Sequence, residues 1–202
     1  MATRRQMIAS TGTLAATAWI APSIISFDQV AAQVGSGTPE IPVLGMGAVW
    51  FDPPPPNLAV GAIESDTDTP VFLESPCVVL TQPITVNRST AGVFNGNSNQ
   101  NTPVPAGTAV TSYFVQGDRD NIPGFLTGSM TFTNQTILGL IYETAQFNAT
   151  SFLEFPGTNY AYGPAEGNDN MTLDLTPGAN TVTWNLRFGG ATDQIRVITS
   201  CS

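Results

Sequence analysis

Residues 107–143 read GTAVTSYFVQGDRDNIPGFLTGSMTFTNQTILGLIYE. Three apolar runs lie inside this stretch, 110–115, 126–132 and 137–142. Each is rich in Val, Ile, Phe, Tyr and Thr, and each is bounded by Gly, Asn, Asp or Pro. β-Branched and aromatic side chains fit a pleated, half-buried surface, and the flanking turn formers hold each run to strand length. In the first run Tyr113 and Val115 fall on one face and Ser112 and Phe114 on the other. Large side chains on both faces predict a strand covered on both sides.

The same pattern extends outward. Val182, Trp184, Leu186 and Phe188 alternate with Thr183, Asn185 and Arg187, which predicts a half-buried strand with a named inner face. Residues 171–175 and 195–198 read as further strands. Upstream, 58–63, 71–73, 78–80 and 84–86 are short apolar runs separated by acidic or Pro-containing turns, and 95–105 reads as a polar loop. Residues 143–155 have mixed periodicity compatible with a helical turn, with Phe147, Phe152, Leu153 and Phe155 expected to cap the end of the core. Roughly ten short strands without a long amphipathic helix predict an all-β chain, an antiparallel β-sandwich of jelly-roll-like kind.

Three segments divide the chain: 1–32, 33–57 and 58–202. In the first, Arg4 and Arg5 precede a mildly apolar run rich in Ala and Thr, and Val30-Ala31-Ala32 supplies small residues suited to cleavage. This resembles a twin-arginine export signal and implies a periplasmic, cell-surface or extracellular protein. Pro22 interrupts the run and Thr and Ser dilute it, which argues against a stable membrane span. The second segment is dominated by Gly and Pro, including Pro53-Pro54-Pro55-Pro56, and reads as a linker or arm, with 49–51 as a candidate edge strand. Length favours one folded domain after it, beginning near Leu58.

The formal net charge is −9, with no histidine and all six basic residues Arg. Without the first 32 residues four Arg face fourteen acids, a net charge of −10. A body this acidic repels phosphate backbones, so nucleic acid is disfavoured as a partner. Absent His rules out a Ser-His-Asp or Cys-His site, and absent Lys rules out Schiff-base and Ser-Lys chemistry. Two cysteines, Cys77 and Cys201, cannot supply a zinc site by themselves. In an oxidising compartment they are expected to form one disulfide between an early strand and the last, the alternative being two buried thiols.

What remains is oxygen chemistry. Glu64, Asp66 and Asp68 crowd one turn, Asp118 and Asp120 a second, and Glu166 and Asp169 a third. Calcium takes carboxylates from such loops, so it is the candidate ion for a chain that otherwise implies no cofactor. The competing expectation is solvated turns closed by their own side chains. Tyr160 and Tyr162 share a face if their segment is extended, beside Asn159 and Asn168, and so form a candidate sugar platform. Their alternative role is packing a sheet edge. Among the acids, Glu143, Glu154, Glu166 and Asp169 are the candidates for a glycosidase pair. Arg196 is expected to be a structural ion-pair partner near Asp193.

Several motifs, in order, resemble a family. These are Gly61-Ala62-Ile63-Glu64-Ser65-Asp66-Thr67, Val71-Phe72-x-Glu74, Gly107-Thr108-x-Val110-x-Ser112-Tyr113-Phe114-Val115, Gly128-Ser129-x-Thr131-Phe132, Ile137-Leu138-Gly139, Pro156-Gly157-Thr158-x-Tyr160 and Asp193-x-Ile195-Arg196-Val197-Ile198-Thr199. Together they resemble a secreted bacterial β-sandwich domain of unknown function, of the type often found in proteins with PEP-CTERM-type sorting tails. The resemblance covers about residues 58–199 and implies the sandwich but no activity. The chain departs from that pattern at Gln116-Gly117 and Thr150-Ser151, and no sorting tail follows Ser202. The functional expectation is an exported, non-catalytic protein with an adhesion or matrix role, its partner an extracellular glycan or matrix protein. The alternatives are a carbohydrate-binding module, with or without calcium, and a carboxylate-based glycan hydrolase or lyase.

Overall fold

The computed structural model describes residues 37–119, 123–163, 169–176, 178–188 and 192–201. The segment read as an export signal, with Arg4 and Arg5, and the candidate residues Asp120, Glu166 and Asn168, lie outside these. Strand β7 (Ala109–Gly117) is buried at every position but its first, as apolar side chains on both faces require. Its neighbours are β3 (Thr69–Val79) and β12 (Asp193–Ser200), and the sheet is completed by β2 (Ala48–Trp50) beside β3 and β9 (Ile137–Ile141) beside β12. The pairing is antiparallel except for β2 with β3, which is parallel.

A second five-stranded antiparallel sheet runs in the order β1 (Val43–Met46), β8 (Gly124–Thr131), β11 (Thr181–Phe188), β10 (Asn170–Asp174), β5 (Gly92–Asn95). A small pair, β4 (Ile84–Val86) with β6 (Thr102–Val104), lies outside both. The chain passes from β7 in one sheet to β8 in the other and back to β9, and from β11 across to β12. The result is the all-β sandwich expected.

The core lies between the sheets. Tyr113, Val115, Ile195 and Val197 of one meet Leu126, Met130, Val182, Trp184 and Leu186 of the other. The alternation in 181–188 therefore predicts the inner face correctly for Val182, Trp184 and Leu186. Gly128 makes room for the indole: a Cβ there would stand 2.4 Å from Trp184 Cζ2. A second apolar cluster sits on the outer face of the β3–β7–β12 sheet, where Phe72, Phe114, Ile141 and Ile198 meet Leu58, Phe147 and Leu153. Helix α1 (Thr144–Ala149) and the 3₁₀ turn Ser151–Leu153 supply the last two. The 143–155 segment thus covers a sheet face rather than the end of the core, and Phe152 points outward, 48% exposed.

The Gly/Pro-rich segment supplies the edge strand expected near 49–51, as β2 at the edge of one sheet, and in addition contributes β1 to the edge of the other. An edge strand needs hydrogen bonds on one side only, so three or four residues suffice and a composition poor in strand formers does not prevent it. Glu40 anchors the segment. Its carboxylate accepts the backbone N–H groups of Thr133, Asn134 and Gln135 at 2.6, 2.9 and 3.0 Å, and Tyr113 Oη donates to its carbonyl at 2.5 Å. Burial works to raise the Glu40 pKa, but the hydrogen bonds outweigh it and hold the carboxyl below its ordinary value. Two further runs differ from expectation. The 71–73 and 78–80 runs fuse into the single strand β3, and the Asn-rich 95–105 segment contains β6.

Cys77 and Cys201 form the expected disulfide, joining β3 to the residue after β12 across 124 residues, with Cα atoms 5.4 Å apart. Among the described residues no helix is long and apolar enough to cross a membrane.

Candidate functional site

Strand β3 carries an acid inside an apolar run. The register steps from Leu73↔Tyr113 to Ser75↔Ser112, so Glu74 and Ser75 together oppose Ser112. This bulge turns both side chains to the outer face of the sheet. There Arg196 of β12 continues a row of cross-strand neighbours, Phe72–Phe114–Arg196–Ile141. Arg196 Nε donates to Glu74 Oε2 at 2.6 Å and Nη2 to Oε1 at 2.7 Å, and both side chains have 0% exposure.

Taking two charges out of water costs several kcal/mol per ion and is offset only when every donor finds an acceptor. That condition is met here. Arg196 Nη1 donates to Thr150 Oγ1 at 2.6 Å and, at longer range, to the carbonyls of Thr150 and Phe147. These carbonyls lie at the end of helix α1 and also accept the N–H groups of Thr150 (Phe147 O) and Leu153 (Thr150 O), so the guanidinium uses their second lone pairs. Nη2 also donates to Tyr162 Oη at 2.9 Å, and Tyr162 Oη donates to Glu154 Oε1 at 2.6 Å. Ser112 Oγ donates to Glu74 Oε2 at 2.6 Å. The guanidinium lies 5.3–5.8 Å from the ring centroids of Phe114, Phe147 and Tyr162, within cation–π range. Burial alone would lower the Arg196 pKa, but the Glu74 carboxylate and its hydrogen bonds dominate and raise it. The cluster fastens α1, the 3₁₀ turn (through Ser75 Oγ to Leu153 O, 2.8 Å) and the segment carrying Tyr162 onto the sheet. A group sealed from solvent on every side can hold a fold together but cannot meet a substrate.

Tyr160 and Tyr162 do share a face, but it is the inner one. Tyr162 stacks on Phe147 with ring centroids 4.7 Å apart, and Tyr160 meets Phe114 edge-on at 5.3 Å. The Tyr160 hydroxyl accepts the Phe155 N–H. Burial first, and the neighbouring carboxylates after it, push both phenols well above their usual range. The rings are half-buried and pack against the second apolar cluster, in line with the packing role given as their alternative. Asn159 is exposed and bonds Asn57, which closes the bridge between the two segments.

The acidic turns are likewise engaged by protein. Asp118 is 1% exposed, and its Oδ2 accepts the N–H groups of Gly61 and Ile63 at 2.9 and 3.5 Å. Burial raises its pKa. Asp66 pairs with Arg119 at 3.2 Å, the N–H of Asp68 is held by Ser65 Oγ, and Glu64 also has an interaction partner. Asp169, fully buried, accepts the Arg187 N–H at 2.8 Å. Among the described residues no three acidic or other ligating side chains gather as a metal site. Of the candidate glycosidase acids, Glu143 takes the Asn99 amide and Glu154 the Tyr162 hydroxyl. Arg196 is an ion-pair partner as expected, but its acid is Glu74 and not Asp193.

The outer face of the other sheet is its opposite. Every described side chain that points outward from it is exposed or half-buried. Cross-strand register arranges these side chains in rows. Phe125 faces Arg187, Thr127 faces Asn185 and then Asn170 and Asn95, and Ser129 faces Thr183 and then Thr172 and Val93. Phe125 is 53% exposed.

No protein-family model, curated protein or solved structure matches the chain. The residues that sequence reasoning passed over were Glu74, Phe125 and Arg187. Glu74 had a signal: a lone acid inside an apolar run whose neighbouring strand is covered on both faces calls for a buried cation, and Arg196 sits in the mirrored position inside Gln194-Ile195-Arg196-Val197. Phe125 and Arg187 were legible as the outward neighbours of Leu126 and Leu186. Their meeting was not, because it depends on which strands pair.

Proposed function

We propose that this chain is an exported, non-catalytic β-sandwich that works at the cell surface or in the medium by adhering to matrix material. The observation that carries this reading is the contrast between the two outer faces. One is closed over by a helix, a turn and a saturated polar cluster. The other is left open, with uncharged polar rows running across it. A sandwich built this way has one surface for stability and one for contact. The paired arginines at Arg4 and Arg5 support export, and the Cys77–Cys201 disulfide fits an oxidising compartment. The lack of His and Lys removes most nucleophilic and general-base machinery.

The test has two parts. Fractionation of producing cells should find the protein outside the cytoplasm, and replacing Arg4 and Arg5 together with Lys should retain it inside. The purified protein should sediment with envelope or matrix material and turn over no glycan in it. Cytoplasmic residence of the wild type, or release of reducing sugar, would overturn the proposal.

A further inference from the structure

The chain holds few cations, and the structure uses most of them internally. Arg196 is paired with Glu74, and Arg119 with Asp66. Arg88 donates to the carbonyls of Thr90 and Ala91 and lies over the Phe94 ring at 4.9 Å. Arg187 is exposed, and its guanidinium has no partner among the described residues. Directly opposite it on β8 stands Phe125, one of the few large apolar side chains left in solvent. The β8–β11 register thus sets an exposed guanidinium, with its N–H donors open to solvent, beside an exposed aromatic ring.

The rest of the face sets the chemistry of what would lie there. The rows from Thr127 to Asn95 and from Ser129 to Thr172 are uncharged, and their hydroxyl and amide groups both donate and accept. Asn185, at the centre, is half-buried, and its amide Oδ1 is buried with no hydrogen-bond partner among the described residues. At the far end the polar groups are already bonded to one another, Thr131 to Thr181 and Asp174 to Thr176, so the unmatched capacity lies toward Phe125. Five strands and six residues of strand length make a surface roughly 20 Å on a side, enough for several sugar rings in a row. A chain of net charge −9 repels polyanions at long range. The charge and hydrogen-bonding complement of this face is an uncharged, hydroxyl-rich polymer.

We propose that the open face of the β1–β8–β11–β10–β5 sheet binds a neutral polysaccharide chain, with Phe125 stacked on a sugar ring and Arg187, Thr127 and Asn185 bonding its hydroxyls. The idea rests on the adhesive reading above and names its partner class. It moves the sugar contact from Tyr160 and Tyr162, which pack half-buried against the second apolar cluster, to the opposite side of the sandwich.

The experiment is affinity electrophoresis and titration calorimetry of the purified protein against hydroxyethylcellulose, xyloglucan, galactomannan and dextran, with polygalacturonate as the charged arm. At least one neutral polymer should retard the wild type, and Phe125→Ala and Arg187→Gln should each weaken that binding by about tenfold or more. Both variants should melt like the wild type, since neither side chain is in a core. Phe152→Ala, which removes an exposed ring on the other face, should bind normally. Binding that survives both variants, binding to polygalacturonate alone, or no retardation by any neutral polymer would overturn the proposal. Sedimentation with matrix material that is unchanged in Phe125→Ala would discard this site while leaving the adhesive reading intact; loss of sedimentation by the wild type would remove both.

Discussion

Replacing Glu74 with Gln leaves Arg196 charged, 0% exposed and without a counter-charge. Breaking a buried pair on one side costs about 3–5 kcal/mol, because the remaining ion keeps its desolvation penalty and loses the attraction that offset it. For a chain of this size each kcal/mol moves the melting midpoint by about 2–4 °C, so Glu74→Gln should melt roughly 6–20 °C below wild type. Arg196→Met should fall in the same range, since it strands the carboxylate. The double variant Glu74→Leu/Arg196→Met buries no ion. Its residual cost comes from the Ser112 hydroxyl, which loses its acceptor and is worth about 1 kcal/mol, while the Phe147 and Thr150 carbonyls keep the N–H groups of Thr150 and Leu153. Tyr162 keeps its bond to Glu154 and Thr150 its bond to Gln146. The double variant should therefore be more stable than either single one, with a coupling energy of several kcal/mol in the cycle. Urea melts followed by tryptophan fluorescence and far-UV circular dichroism measure all four corners. Single variants that each lose under about 1 kcal/mol, or a double variant that loses their sum, would show that the pair does not hold the outer layer.

Three other perturbations probe the rest of the fold. Reducing and alkylating the protein, or changing Cys77 and Cys201 to Ala, should cost roughly 4–5 kcal/mol in the chain-entropy account of a loop this long, read from the denaturant midpoint at constant slope. Gly128→Ala puts a methyl against a ring that is 1% exposed and enclosed by the core. It should lose about 1–3 kcal/mol and shift the Trp184 fluorescence, whereas an unchanged midpoint would mean that the indole has room to move. Glu40 has a folded pKa below its ordinary value of 4.5. Its contribution is therefore complete above that pH and disappears as the pH falls through the folded value. Glu40→Gln should be about 1 kcal/mol less stable than wild type at pH 7, a modest figure because the group is half in solvent. The two should converge in acid, once the pH has fallen below the folded value. A gap that persists in acid would place the effect elsewhere than in the charge.

What the amino-acid sequence determined by itself was whatever depends on neighbours along the chain. Alternation in 111–115 and 182–187 assigned faces correctly, because a strand's side chains point to opposite sides at every step whatever it pairs with. The turn formers around 107–143 delimited three strands that the structure places at Ala109–Gly117, Gly124–Thr131 and Ile137–Ile141, and two cysteines in a chain expected to meet an oxidising compartment implied their bond. Tertiary structure alone decided which of two available faces would be sealed. Glu74 and Arg196 are 122 residues apart, and nothing local marks one as the other's partner until β3, β7 and β12 lie side by side. The same pairing turned Tyr160 and Tyr162 inward, since an aromatic pair on an extended segment carries no information about which side water is on. It also drew a Gly- and Pro-rich arm into both sheets, because edge hydrogen bonds are supplied by the neighbouring strand and owe little to the arm's own composition. The meeting of Phe125 with Arg187 belongs to this class too: each faces outward by local periodicity, and only the β8–β11 register sets them side by side.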